Sequence, residues 1–166
     1  EDGVPVSDPN AFPITTEPYY RTTLHVESYI PLTSRATLLL NGQSGINFNY
    51  SRHVMNEFAI GGLTKVFRNQ VLFAGLQEGT LYTPAMAALQ GGLRMQLFSN
   101  TYLTGRANLL YNNFVSTSEF FKAPDFLSGY SMTFSYNFAL GPLEISAMYC
   151  DQTKKLQSYI NLGIPF

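Results

Sequence analysis

The stretch nearest to a catalytic motif is Gly42-Gln43-Ser44-Gly45-Ile46. A nucleophile elbow of the type Gly-x-Ser-x-Gly exposes its serine at a sharp strand-to-helix turn. Here isoleucine replaces the last glycine, and the stretch lies between extended runs with no helix after it. We interpret it as a bend or bulge in a strand, and we expect no catalytic residue and no enzyme activity in this chain.

The sequence also contains no pattern typical of a metal-binding or cofactor-binding site. The two histidines, His25 and His53, stand in no spaced pattern with carboxylates, either for a metal ion or for a Ser–His pair. Cys150 is the single cysteine, which excludes an internal disulfide and a cysteine-based zinc site. No phosphate-binding glycine loop occurs, and the net charge of −1 offers no basic surface for nucleic acid. The sequence predicts no metal, no cofactor and no nucleic-acid partner.

Three charged residues interrupt otherwise neutral polar runs: Glu27, Arg94 and Arg106. One interpretation is an element that lines a pore and selects ions. The other, which we favour, is an ion pair between Glu27 and one of the arginines inside a polar lumen.

The elements that position these residues repeat with a period of two. Apolar and polar residues alternate in seven segments, and residues 58–67 could add an eighth. Such alternation is typical of strands, and the short connections predict antiparallel pairing. We predict an all-β antiparallel meander of seven or eight strands, forming a barrel or half-barrel, over residues 21–166. Residues 1–20, rich in proline, are predicted to be a linker or irregular arm. The seven segments cover residues 22–32, 36–50, 86–99, 101–111, 130–140, 143–150 and 156–166.

The side on which the apolar residues face decides between two classes of protein. A soluble barrel turns them inward, whereas a membrane barrel turns them to lipid and keeps a polar lumen. Charged residues are 13% of the chain, about half of the usual share, and Glu144 is the only charge on the polar sides of the last three strands. This favours the membrane class. The alternative is a soluble carrier whose dry apolar pocket is lined by Phe134, Tyr136 and Ile145.

Three stretches then resemble a known family. Residues 136–146 (YNFALGPLEIS) look like the late hairpin of the surface-antigen outer-membrane barrels, in which a strand ends at a Gly-Pro turn. Residues 158–166 (SYINLGIPF) resemble the closing strand of that superfamily, which stops on a terminal phenylalanine. Residues 56–63 (NEFAIGGL) resemble its strand-to-loop transition, Phe-x-Ile/Leu-Gly-Gly.

One difference from the family pattern, a missing arginine, indicates which branch of the superfamily the chain resembles. Assembly and translocation members carry Arg-Gly-Phe/Tyr in the following loop, whereas residues 71–76 here read VLFAGL and lack the arginine. The chain looks more like the barrel of bacterial patatin-like phospholipases. This implies a non-catalytic barrel that anchors, or helps to export, an upstream patatin-like lipid hydrolase domain.

The resemblance also implies a place, partners and residue roles. The place is the outer membrane of a bacterium, and the partners are outer-membrane lipid and the barrel-assembly machinery. Barrels of this family resemble sixteen-stranded cylinders, yet 166 residues fit seven or eight strands. We therefore expect either an eight-stranded closure or a homodimer through open sheet edges. The implied lumen loop contains Gly61, Gly62, Phe73 and Gly75, and the implied assembly signal contains Ile160, Leu162, Gly163, Ile164 and Phe166.

Overall fold

The computed structural model describes residues 20–48, 56–66, 68–112, 114, 125–139 and 141–163. The prediction of an all-β chain is confirmed, and the described residues form ten strands. The predicted linker lies outside the described residues except for Tyr20, which begins the first strand. The strands are β1 (Tyr20–Pro31), β2 (Ala36–Phe48), β3 (Phe58–Ile60), β4 (Gln70–Val71), β5 (Leu81–Thr83), β6 (Ala85–Phe98), β7 (Thr101–Asn112), β8 (Asp125–Phe138), β9 (Gly141–Cys150) and β10 (Lys155–Leu162).

Seven long strands form one antiparallel sheet in the order β1-β2-β6-β7-β8-β9-β10. Neighbours in this order are also neighbours along the chain, apart from the step from β2 to β6, so the predicted meander is confirmed. The sheet is not closed: among the described residues β1 pairs with β2 alone and β10 with β9 alone. Within the same residues, no helix is long and apolar enough to cross a membrane.

The predicted bend or bulge at residues 42–46 is wrong. β2 runs without interruption through these positions and keeps an unbroken register with both β1 and β6. The glycine at 45 instead provides space, because a Cβ there would stand 2.4 Å from the ring of Phe58. Ser44 pairs with Leu24 and Ala87 inside the sheet and lies on no strand-to-helix turn. The irregularity that the structure does contain lies between Gln96 and Phe98.

The residues between β2 and β6 form a second small sheet, and we call residues 56–66 and 68–84 the inner segment. Its strand order is β4-β3-β5, with β3 parallel to β4 and antiparallel to β5. The predicted eighth strand over residues 58–67 is thus reduced to the three residues of β3. The inner segment packs on one face of the long sheet, and its apolar side chains meet residues of β6, β7 and β9. The cluster contains Phe58, Ile60, Val71, Phe73, Leu76, Met86, Leu110 and Cys150.

Candidate functional site: the two faces of the sheet

The face of the long sheet that carries the inner segment, the inner face, is polar and buried. Small hydroxyl and amide side chains of β7, β8 and β9 are covered there. They hydrogen-bond to one another across strands, as between Thr133 and Ser146 at 2.8 Å. The buried set includes Thr104, Asn108, Ser131, Thr133, Ser135 and Ser146.

The opposite face, the outer face, is apolar and exposed. The residues predicted to line the pocket of a soluble carrier lie here, and Phe134, Tyr136 and Ile145 are 44%, 45% and 48% exposed. A soluble protein buries its large apolar side chains and exposes its polar ones, because transfer of apolar surface from water is favourable. The reverse arrangement is the one found in membrane barrels. The carrier interpretation therefore loses the pocket on which it depended.

Exposed aromatic side chains lie near both ends of the outer face, and Tyr130 and Phe134 lie between them. Phe126 faces Tyr111 across β8 and β7 near one end, and Tyr136 lies near the other end of β8. The ten residue steps from Phe126 to Tyr136 span about 33 Å along the strand. At the tilt of about 40° usual in such barrels this gives about 25 Å, the height of a lipid-facing apolar band flanked by aromatic girdles.

The inner segment approaches the long sheet, which we call the wall, so closely that glycines are required at the contacts. A Cβ on Gly129 of β8 would stand 1.9 Å from the carbonyl oxygen of Ala74. A Cβ on Gly75 would stand 2.5 Å from the carbonyl oxygen of Tyr149, and Gly75 itself has a φ of 98°. With its side-chain amide suitably oriented, Asn108 accepts a hydrogen bond from the Ala74 N–H. The segment is thus fixed to β7, β8 and β9.

The four residues predicted for a lumen loop all belong to this segment. Gly61 and Gly62 have φ of 128° and 81°, a region that favours glycine. Gly62 donates its N–H to Leu76 at 2.8 Å, and Phe73 donates to the Gly62 carbonyl at 3.1 Å. Phe73 is fully buried. The structure therefore brings Gly61, Gly62 and Phe73 together, while Gly75 lies at the wall of β9.

Sequence reasoning missed the residues that hold the start of the inner segment. Arg21 on β1 donates through Nε to Asn47 Oδ1 at 2.8 Å and through Nη2 to the Asn56 carbonyl at 2.5 Å. Its guanidinium also lies 4.8 Å from the centre of the Phe58 ring. The signal in the sequence was a polar pair, Arg21 and Asn47, on the polar side of two neighbouring strands.

Inside the segment, the buried Gln70 satisfies backbone groups that no strand pairs. Its Nε2 donates to the carbonyls of Gly61 and Thr64 at 2.6 and 3.1 Å, and its Oε1 accepts from the N–H of Val66. A buried peptide group without such a partner is costly. This single side chain therefore stabilises the loop between β3 and β4.

Glu27, Arg94 and Arg106 lie around one cavity of about 220 Å³ on the inner face. Among the described residues, Glu27 forms no ion pair with either arginine, and each of the three side chains has another contact. Glu27 accepts a hydrogen bond from the Tyr29 hydroxyl. Arg106 donates to Thr133 Oγ1 at 3.2 Å, and Arg94 lies 4.3 Å from the centre of the Tyr102 ring.

The predicted assembly signal is described in part. Ile160 and Leu162 are exposed on the outer face of β10. Gly163 donates its N–H to the Pro142 carbonyl at 2.9 Å, which joins the end of β10 to the start of β9. Ile164 and Phe166 lie outside the described residues.

No metal-binding group is found in the described part of the chain, where no three His, Cys, Asp or Glu residues come together. His25 shares a hydrogen bond of 3.2 Å with Asn41, and His53 lies outside the described residues. Cys150, the last residue of β9, is buried against the inner segment.

Comparison with known proteins supplies one match. The model of the OMP85 superfamily matches residues 14–166. No curated protein and no solved structure matches the chain.

Proposed function

The chain belongs to the OMP85 superfamily, and we propose that it forms an outer-membrane barrel wall that anchors or helps to export an upstream patatin-like lipid hydrolase domain. Membership of the superfamily suggests an outer-membrane barrel role in a bacterium. The observation that carries the proposal is the inverted burial, with an exposed apolar outer face and a covered polar inner face. In this role the chain binds lipid and performs no chemistry.

The direction of the edge strands constrains how such a wall is completed. In an antiparallel sheet of seven strands, the first and last run the same way, so β1 and β10 are parallel to each other. Direct closure, or a homodimer that joins β1 to β10 in one membrane orientation, would need parallel seams. One additional strand, antiparallel to both edges, gives an eight-stranded barrel, and single-chain bacterial barrels have even strand numbers. We therefore favour completion of the barrel by one additional strand over completion by a homodimer.

Two features support the more specific link to a patatin-like protein. The inner segment lacks the arginine of the Arg-Gly-Phe/Tyr motif, which argues against an assembly or translocation role. The described residues also lack a nucleophile elbow, so the chemistry would reside in another domain. Two measurements test this link: the sequence encoded upstream of Glu1, and the phospholipase activity of the protein that includes it. A Gly-x-Ser-x-Gly elbow together with phospholipase activity would support the link, and an unrelated domain would refute it.

The partners follow from the same assignment. Outer-membrane lipid would cover the outer face between its aromatic ends. The barrel-assembly machinery would recognise the C-terminal residues, with Ile160 and Leu162 on the lipid side and Phe166 at the end.

The decisive experiment asks whether the chain needs detergent and resists unfolding in dodecyl sulfate. We expect the purified chain to stay dispersed in non-ionic detergent alone and to migrate faster on an unheated gel than after boiling. A freely soluble monomer with identical mobility before and after boiling would refute the membrane assignment.

A further inference from the structure

A cavity of about 220 Å³ lies on the inner face against the inner segment, and nothing in the proposed function uses it. Its walls are residues of β1, β2, β6 and β7, and Leu63 and Leu72 of the inner segment also border it. Its ionisable lining residues are Glu27, Tyr29, Arg94 and Arg106. We propose that this cavity binds a phosphate group, held between the guanidinium groups of Arg94 and Arg106.

The two arginines lie close together in the sheet. Arg106 on β7 is the register partner of Gly92, and Arg94 follows two residues later on the same face of β6. Diagonal neighbours of this kind have Cβ atoms less than about 7–8 Å apart, and like charges at such positions destabilise a sheet. A bound anion between them removes this repulsion, because it attracts both.

Gly92 on β6 leaves room for the aliphatic stem of Arg106. A Cβ on Gly92 would stand 3.1 Å from Cγ of Arg106, so the arginine stem occupies the space that a side chain at 92 would fill. The stem of Arg106 therefore lies beside β6, while its guanidinium reaches Thr133 on β8.

Most of the donors around the cavity remain unused. Each guanidinium has five N–H groups, and within the described residues the two arginines make one hydrogen bond, from Arg106 to Thr133. Arg94 lies 4.3 Å from the centre of the Tyr102 ring, a contact that uses none of its N–H donors. Outside the cavity lining, the buried hydroxyl of Ser131, the register partner of Arg106 on β8, also has no hydrogen-bond partner.

The charge balance and the shape of the donors select the ligand class. Glu27 is the only carboxylate among the lining residues, so one carboxylate faces two guanidinium groups there, and Glu144 outside the lining also attracts Arg106. Planar guanidinium forks match the oxygen spacing of phosphate and bind it by paired charge-assisted hydrogen bonds. The same chemistry serves free orthophosphate and the phosphate of a lipid headgroup.

Calorimetric titration of the whole chain in non-ionic detergent, at fixed ionic strength, tests the proposal with orthophosphate as the probe. We expect saturable binding that Arg94→Gln and Arg106→Gln each weaken by about tenfold, the change produced by the loss of one charge-assisted hydrogen bond. The matched control is Arg68→Gln, which removes the same charge from an exposed position of the inner segment outside the cavity. It should bind phosphate as the unmodified chain does.

A second titration uses a soluble short-chain phosphatidic acid and separates the two sources of phosphate. Tighter binding of the ester assigns the site to a lipid headgroup, and tighter binding of orthophosphate assigns it to the free ion. Circular dichroism confirms that each variant is folded. The absence of saturable binding to either probe, or an equal loss in Arg68→Gln, would overturn the proposal. Detergent dependence is measured separately, so the anchoring role can fail while the phosphate site stands.

Discussion

Gly129→Ala tests whether the inner segment is held by close contact with the wall of the sheet. The new methyl group would stand 1.9 Å from the Ala74 carbonyl oxygen and 3.0 Å from Cε1 of Phe73. Because ordinary contacts begin near 3.4 Å, the segment must move away by about 1.5 Å. Overfilling a packed interior in this way costs about 1–3 kcal/mol.

Hydrogen exchange followed by mass spectrometry gives the assay. If the cost falls on the segment alone, its opening equilibrium rises by about 5- to 150-fold, and its amides exchange faster by the same factor. Strands β1 and β10 should keep their exchange rates. The control is Gly91→Ala on the outer face, where a Cβ meets no atom within 4 Å. Equal protection of the segment in Gly129→Ala and in the unmodified chain would refute the reasoning.

Three further substitutions test other contacts. Arg21→Ala removes two hydrogen bonds and the contact with Phe58, so exchange at residues 56–60 should rise by an amount equivalent to about 1.5–3 kcal/mol. Arg21→Lys should recover part of this, and unchanged exchange would contradict the assigned role. Met132→Arg places a charge on the outer face near the midpoint between Phe126 and Tyr136, which costs about 2–4 kcal/mol at the centre of a bilayer, and should reduce the heat-modifiable fraction in vesicles. Tyr29→Arg, at a position that is 62% exposed on the inner face, is its control, and equal losses would mean that the faces are wrongly assigned. Deletion of Phe166 should lower the amount assembled in cells but leave folding into detergent unchanged; normal assembly would exclude it as the signal.

The long strands were predictable because their two faces lie in different surroundings. From 130 to 136, apolar residues alternate with Ser and Thr, and the structure exposes the first set and buries the second. A period of two in the sequence records that difference directly.

The strands of the inner segment could not be predicted, because they contain two or three residues and show no period. The position of the segment depends on contacts between residues far apart in sequence, such as Ala74 with Gly129. A glycine in a strand suggests a break, and Gly45 was interpreted as one. Only the position of Phe58 above it shows that the glycine provides space. Likewise, Glu27, Arg94 and Arg106 were identified as lumen residues, but their partners depend on side-chain directions that alternation leaves open.

The scarcity of charge in this chain follows from the occupation of both faces of its sheet. The outer face, which we propose meets lipid, excludes charges because their transfer from water is costly. On the inner face, residues such as Gly129 and Ser131 leave room for the inner segment, and a longer charged side chain there would displace it. Hydroxyl and amide groups suit this face because they can hydrogen-bond to one another beneath apolar neighbours, as Thr133 and Ser146 do. Charged residues lie in turns, in the inner segment and on the inner face, where Arg21 and Glu144 bind polar neighbours and Arg94 and Arg106 border the cavity for which we propose a phosphate ligand.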